Sequence, residues 1–238
     1  MAKSRSSSGS HRTRSAPVIA LDGPSGAGKG AVGQRLAIRL GWHFLDSGAL
    51  YRVAALAAQQ AGCDFRDIGG LVALASGVNV RFEPQVGSDA RVLLDDRDIG
   101  DVIRTEEIGR LASEVAVLSA VRQALLKQQQ TLRQPPGLVA DGRDMGTVVF
   151  PDAELKIFLT ASPVERAERR YNQLKDKGFD VNLARLAEEI RVRDARDEER
   201  EVSPLKPADD AYIIDSSDLS IAQVVERVLG LLQKQQGP

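Results

Sequence analysis

Eight consecutive residues, Gly23-Pro24-Ser25-Gly26-Ala27-Gly28-Lys29-Gly30, place glycines and a lysine in the order G-x-x-x-x-G-K, the spacing of a phosphate-binding loop. Glycines let backbone N–H groups converge on phosphate oxygens. The start of a following helix adds partial positive charge, and the lysine can reach the β- and γ-phosphates. The context fits: the apolar run Val18-Ile19-Ala20-Leu21 precedes the loop, and Val32, Leu36 and Leu40 mark one face of a helix after it. A merely flexible turn would explain neither the lysine nor these flanks. Gly30 stands where most such loops carry the Ser or Thr that ligates Mg²⁺.

Two further clusters follow short apolar runs. In Asp46-Ser47-Gly48-Ala49-Leu50-Tyr51-Arg52, Ser47 and Arg52 are little more than one helical turn apart and can face one cleft at the carboxyl end of a strand. Helix capping by Ser47 and a solvated Arg52 are the bland alternatives. In Asp141-Gly142-Arg143-Asp144-Met145-Gly146-Thr147, three charges directly after an apolar run are costly unless they meet a charged ligand or each other. Arg143 suits a phosphate clamp and Asp144 an acceptor for an exocyclic amine; a structural Asp–Arg pair is the alternative. Residues 185–201 hold five arginines and seven acids. An exposed helix laced by Glu189–Arg193 and Arg193–Asp197 pairs would account for them. Arg193, Arg196 and Arg200 nevertheless gather near its end, and a mobile arginine-bearing segment beside a phosphate loop is what phosphoryl transfer requires.

The elements that must position these groups read as alternating strands and helices. Strands are predicted at residues 18–21 and 42–45, and helices at 29–40 and 49–60, an order that means a parallel sheet covered by helices. Residues 78–82 and 91–94 alternate in polarity around Gly87-Ser88-Asp89, which predicts a small antiparallel hairpin inserted in that scheme. Helices over about 106–117 and 120–134 follow, ended by Pro135-Pro136-Gly137. Strands at 138–140, 155–159 and 211–214 complete the sheet. Ser162-Pro163-Val164-Glu165 opens a charged helical stretch running through about residue 199. Residues 220–223 cap a final helix.

Composition bounds the function. The 238 residues carry a net charge of −1, which argues against a general nucleic-acid binder. Residues 1–15 hold four basic residues and no acid, read as a disordered tail; the remainder has 28 basic and 33 acidic residues, a net of −5. The single Cys63 and two histidines exclude an internal disulfide and a thiol- or imidazole-built zinc site. No run of 18 apolar residues and no secretory signal is present, so a cytoplasmic protein without a membrane span is expected. Of the basic residues, 24 are arginine and eight lysine. Either composition bias in an Ala-rich chain or a need for bidentate phosphate contacts would account for that excess.

Together, "APVIALDGPSGAGKG", "GWHFLDSGALYR", "ADGRDMGTVVFPDAELKIFL" and "RDARDEER" resemble the bacterial-type cytidylate kinases, P-loop nucleoside monophosphate kinases, over about residues 16–235. The resemblance implies an α/β fold: a P-loop kinase core with a parallel sheet (about 16–62, 135–170 and 205–235), a small β-containing acceptor insertion (about 63–134) and a short helical lid (about 171–204). It implies transfer of the γ-phosphate of ATP to CMP or dCMP with Mg²⁺. ATP would meet Gly23, Ser25, Gly26, Ala27, Gly28, Lys29, Gly30, Ala31 and Arg169 or Arg170. On the acceptor, Ser47 would lie at the ribose side, Arg52 and Arg143 at the phosphate, and Ser113, Arg122 and Asp144 at cytosine. Arg193 and Asp197 would meet the ribose hydroxyls and Arg200 the acceptor phosphate, with Lys29, Arg143 and Arg200 catalytic. The roles of Ser113 and Arg122 rest on the family alone. No side chain is assigned to the metal, which that family holds mostly through phosphates and waters. Ala31 departs from the Thr common there, removing a hydroxyl from the donor phosphates. A monomer acting on small nucleotides, with neither nucleic-acid nor membrane partner, is the expectation. A metabolite kinase such as shikimate kinase is the alternative enzyme; a nucleotide-hydrolysing RNA-binding switch is the alternative from another class.

Overall fold

The computed structural model describes residues 15–237 apart from 177, 179 and 201. The expected disordered tail falls almost wholly on residues 1–14, outside the described residues. Five strands form one parallel sheet: β1 (Val18–Asp22), β2 (His43–Asp46), β6 (Leu138–Asp141), β7 (Leu155–Thr160) and β8 (Tyr212–Asp215), in the spatial order β2-β6-β1-β7-β8. Strand β1 is buried at every position between β6 and β7, as a central parallel strand covered on both faces must be. That is why Val18-Ile19-Ala20-Leu21 is a continuous apolar run rather than an alternating one.

Helices cover the sheet. Helix α1 (Lys29–Leu40) packs against β6 and against α9 (Ile221–Gln236), and α9 opens with the capping box of Ser220 and Gln223. Between α2 (Ser47–Gln60) and β6 the chain builds α3 (Ile68–Gly77), β3 (Val80–Glu83), β4 (Arg91–Leu94), β5 (Arg97–Asp98), α4 (Gly100–Ile103), α5 (Glu106–Val115) and α6 (Ser119–Thr131). Strands β3-β4-β5 form the separate antiparallel sheet that the alternating residues predict. Its β3–β4 connection hangs on α1, where Gln34 accepts from Gln85 N at 2.9 Å and donates to Ser88 O at 3.4 Å.

Residues 163–199 differ from the single charged stretch read from the sequence. They form two packed helices, α7 (Pro163–Asp176) and α8 (Leu183–Glu198). Gly178, at φ +82°, lies between them. After β6 the chain makes a wide helical turn over Met145–Val149, closed by Val149 N to Asp144 O (3.1 Å) and Phe150 N to Met145 O (2.7 Å). Among the described residues no helix is long and apolar enough to cross a membrane.

Candidate functional site

The carboxyl ends of β2, β6 and β1 bring Asp46, Asp141 and Asp22 to one rim of the sheet, with the glycine-rich loop directly after β1. Gly23 has φ +143°, and a Cβ there would sit 1.9 Å from Leu159 O; only glycine lets the loop leave the strand this close to β7. Gly28 is left-handed at φ 93° and caps α1 without any side-chain hydrogen bond. The first-turn N–H groups of α1 are therefore left for a ligand, and phosphate oxygens suit them.

Lys29 opens α1 and is buried, its Nζ donating to Pro24 O at 2.8 Å. Burial pushes its pKa down and Arg143 pushes the same way, while Asp141 and Asp22 oppose. Burial likewise pushes Asp141 up, with Lys29 opposing. An anionic ligand over the loop would restore the ammonium's balance of charge. From behind, Ser25 O accepts from Arg166 at 3.1 Å and Ala27 O from the Ser216 hydroxyl at 3.1 Å. Arg169 pairs with Glu165 at 2.9 Å and donates to Ser216 O at 2.6 Å. It thus braces the β8–α9 connection, whereas Arg170 is exposed and bonded to Gln173 at 3.0 Å.

Asp22 ties this loop to the next. Its two carboxylate oxygens accept from Met145 N and Gly146 N, both at 2.8 Å, holding the turn that follows Arg143 and Asp144. Burial raises its pKa to about 6 against those two hydrogen bonds. A raised carboxyl binds its proton more tightly folded than unfolded, so its contribution to stability falls as pH rises from about 4 to about 6 and is level above. The unfolding free energy of the native chain minus that of Asp22→Asn should therefore drop by roughly 1.4 kcal/mol per pH unit across that window. Denaturant unfolding at half-unit pH steps measures it; a level difference would remove Asp22 as the source.

On the other side of the cleft, the cap of α2 is Asp46, which accepts from Ala49 N at 2.9 Å. Ser47 is the first helical residue, buried, and is not used for capping. Arg52 is no solvated surface group: it donates to Ile103 O at 2.7 Å and Thr105 O at 3.3 Å, fastening α2 to the α4–α5 corner. Burial lowers its pKa, with Asp46 opposing. Arg122 on α6 and Asp144 form a buried ion pair, 9% and 8% exposed at their side chains. The guanidinium lies 5.8 Å from the centre of the Tyr51 ring, and burial pushes the Tyr51 hydroxyl up to about 12. Ser113 is half-buried on α5 and bonded to Gly109 O of its own helix at 3.0 Å.

The pairs expected from helical spacing in α8 do not form. Glu189 pairs instead with Arg185 at 2.9 Å. Asp197 pairs with Arg143 at 3.0 Å and with Arg200. Asp197 is buried, which pushes its pKa up, but Arg143 and Arg200 outweigh that and hold it low. Arg200 Nε is buried without a hydrogen-bond partner, and a cavity of about 350 Å³ opens beside Arg200, lined also by Val117, Ser119 and Arg196. Arg193 keeps solvent contact within the cleft. Its dense surroundings, with Arg143, Arg52 and Arg200, push its pKa down to about 10. Arg143 and Arg200 thus share one carboxylate, Asp197; Arg193 is near enough to feel its charge without pairing with it, and Arg143 and Arg193 both act on Lys29. An excess of guanidinium charge beside a phosphate loop is a place for a second polyanion.

No group of three or more acidic, His or Cys side chains among the described residues is arranged to hold a metal ion. Of the rim carboxylates, Asp141 stands against the loop, its Oδ2 3.4 Å from where a Cβ on Gly30 would be, while both Asp22 oxygens are taken by N–H groups. A Mg²⁺ held by phosphates and waters with a single carboxylate fits these residues.

Reading from sequence missed Asp22, which holds the turn after Arg143 and Asp144, and Arg166, which backs the donor loop. A charged residue closing an apolar strand was a usable signal for the first; nothing local distinguishes Arg166 within its charged helix.

A family model described as cytidylate kinase matches residues 19–234. The chain is 58% identical over 217 residues to a cytidylate kinase of Methylococcus capsulatus, covering 91% of this chain and 97% of that one. It is 57% identical over 220 residues to a cytidylate kinase of Pseudomonas aeruginosa, covering 92% and 96%. Likeness to a solved shikimate kinase from Acinetobacter baumannii in complex with shikimate is far looser, at 19% identity and a TM-score of 0.41 over 94% and 96% of the two chains.

Proposed function

The chain belongs to the cytidylate kinase family and moves the γ-phosphate of ATP to CMP or dCMP, and we propose that it does so in the cleft between the glycine-rich loop and α8. The observation that carries this placement is the sharing of Asp197 by Arg143 and Arg200, with Arg143 and Arg193 both near enough to act on Lys29.

The loop residues Gly23, Ser25, Gly26, Ala27, Gly28, Gly30 and Ala31 receive the donor phosphates, and Lys29 follows the group in transit. The nucleophile is an oxygen of the acceptor's own phosphate, which is already ionised near neutral pH because its second pKa is about 6. No general base is needed, and none is assigned. What remains is to bring two polyanions together and to stabilise charge in the transition state. Arg52, Arg143 and Arg200 hold the acceptor phosphate; Arg193, Asp197 and Ser47 face the ribose. Asp197 retains lone pairs beyond its two arginine bonds, and a 2′-hydroxyl donating to it would favour CMP over dCMP. Asp144, set by Arg122, accepts from the cytosine amine, with Ser113 beside it. Arg169 acts at the donor end by bracing the β8–α9 connection, and Arg170 reaches the phosphates from α7. Bound Mg²⁺ would neutralise charge on the phosphates, held partly by Asp141. Residues 63–134 form the acceptor-binding insertion and 171–204 the lid, which closes to exclude water.

An acceptor screen with ATP and Mg²⁺, following ADP release, tests the reading. CMP and dCMP should turn over well above UMP and shikimate; no turnover with CMP above background would overturn it.

A further inference from the structure

Arg166 joins three parts of the molecule that the reaction must coordinate. It is 4% exposed, near the start of α7. Its Nε donates to Ala161 O at 3.0 Å, just before that helix. Its Nη1 donates to Ser25 O of the donor loop at 3.1 Å and lies 2.6 Å from Asp194 Oδ2 on α8. The contact with the loop is close-packed, since a Cβ on Gly26 would stand 3.1 Å from the Arg166 Cβ. A shift of the loop backbone on filling with phosphates therefore reaches the Arg166 guanidinium directly.

Asp194 adjoins Arg193 in sequence and lies three residues, nearly one turn, before Asp197. It touches neither nucleotide in the reading above. Its second carboxylate oxygen, Oδ1, is buried with no hydrogen-bond partner, although a buried carboxylate kept for stability alone is ordinarily saturated with partners. The pair thus lacks the complete set of bonds that would lock α8 in one place, and with the Arg166 hydrogen bond to Ser25 O it links the donor loop, through α7, to the helix bearing Arg193 and Asp197.

We propose that the Arg166–Asp194 pair is a positioning link through which occupancy of the donor loop sets α8, and so couples ATP binding to the grip on the acceptor. The proposal rests on the placement of Arg193, Asp197 and Arg200 at the acceptor. Coupling of this kind is a ratio of affinities and is reciprocal between the two ligands.

Calorimetry on the full chain tests it, with CMP titrated in the presence and absence of a non-hydrolysable ATP analogue and Mg²⁺. In the native chain the analogue should tighten CMP binding by about fivefold or more, the ordinary lower range of such coupling. In Asp194→Asn, CMP alone should bind within about threefold of the native value while the tightening falls towards one; Asp194→Glu, which keeps the charge, should regain part of it. A pair that only stabilises the fold would shift the melting temperature and leave the ratio intact. An unchanged ratio in Asp194→Asn, no gain in Asp194→Glu over Asp194→Asn, or a ratio of one in the native chain would overturn the proposal. If Asp194→Asn does not fold, a native ratio in Asp194→Glu with a weakened one in Arg166→Lys would support it, and native ratios in both would overturn it. Failure of the underlying placement looks different: the native chain would then not bind CMP, or Arg200→Ala would bind it as the native chain does.

Discussion

Lys29→Ala should lower kcat by about 10²–10³-fold, the loss typical of removing one preorganised group aimed at developing charge, while CMP binding and folding persist. The physical basis is the position of the ammonium. It is buried, folded onto Pro24 O at 2.8 Å, and pushed towards its neutral form by burial and by Arg143. In the empty protein this charge is badly placed; it becomes well placed only when phosphate oxygens fill the loop, and most so when charge builds on the transferring group. Interactions that strengthen in the transition state raise kcat rather than merely tightening binding. The variant should consequently be no less stable than the native chain, because it removes a buried cation whose solvation is lost. Steady-state kinetics with thermal unfolding on the same samples checks both halves. A kcat within a few-fold of native would refute the role given to Lys29, and a large loss of stability would point to a structural one.

The second large effect concerns Asp144. Asp144→Ala leaves the Arg122 charge without its carboxylate at a side chain only 9% exposed, and breaking a buried pair from one side costs about 3–5 kcal/mol. It also removes the acceptor assigned to the cytosine amine. The preference for CMP over UMP, as a ratio of kcat/KM, should fall about 10- to 100-fold, the scale of one hydrogen bond to a charged group. The two losses are separable. Replacing both partners, as in Arg122→Met with Asp144→Leu, should restore much of the stability, since well-packed apolar residues often substitute for a buried pair at little cost; it should not restore the preference. Recovery of base preference in the double variant would mean that Asp144 does not read the base.

Which parts of this molecule are legible in its sequence follows from the range over which each feature is decided. Helix α1 is readable to its ends because Gly28 and Gly41, both left-handed, bracket it, and that information is local. Strands β1 and β6 are readable because central parallel strands must be apolar throughout. Helix α3 is not: its Gly69-Gly70 pair is a poor helix former, and the helix stands because Leu71 and Ala75 are buried against the rest of the insertion. The wide turn at Met145–Val149 depends on a carboxylate more than 120 residues earlier, Asp22.

The site divides the same way. The glycine-rich loop and its lysine declare themselves by spacing. The partner of Asp197 does not, because Arg143 wins over the helical neighbour Arg193 from 54 residues away. Arg122 is an ordinary helix residue until Asp144 is seen against it, and Ser113, bonded to its own helix, carries no structural mark of the role proposed for it. Arg169 shows the reverse: the resemblance implies a place at the donor for it or for Arg170, while its bonds to Ser216 come from a segment far along the chain.

The gathering of Arg143, Arg193 and Arg200 around one carboxylate, Asp197, which pairs with only the first and last of them, has a meaning beyond turnover. An empty cleft of this kind repels itself, and its natural counter-ions are the substrates. Ligands that bind only the native form stabilise it in proportion to their supply. Molecules without nucleotide should therefore be the more open to unfolding and digestion, and supply of substrate should act on this protein's stability as well as on its rate.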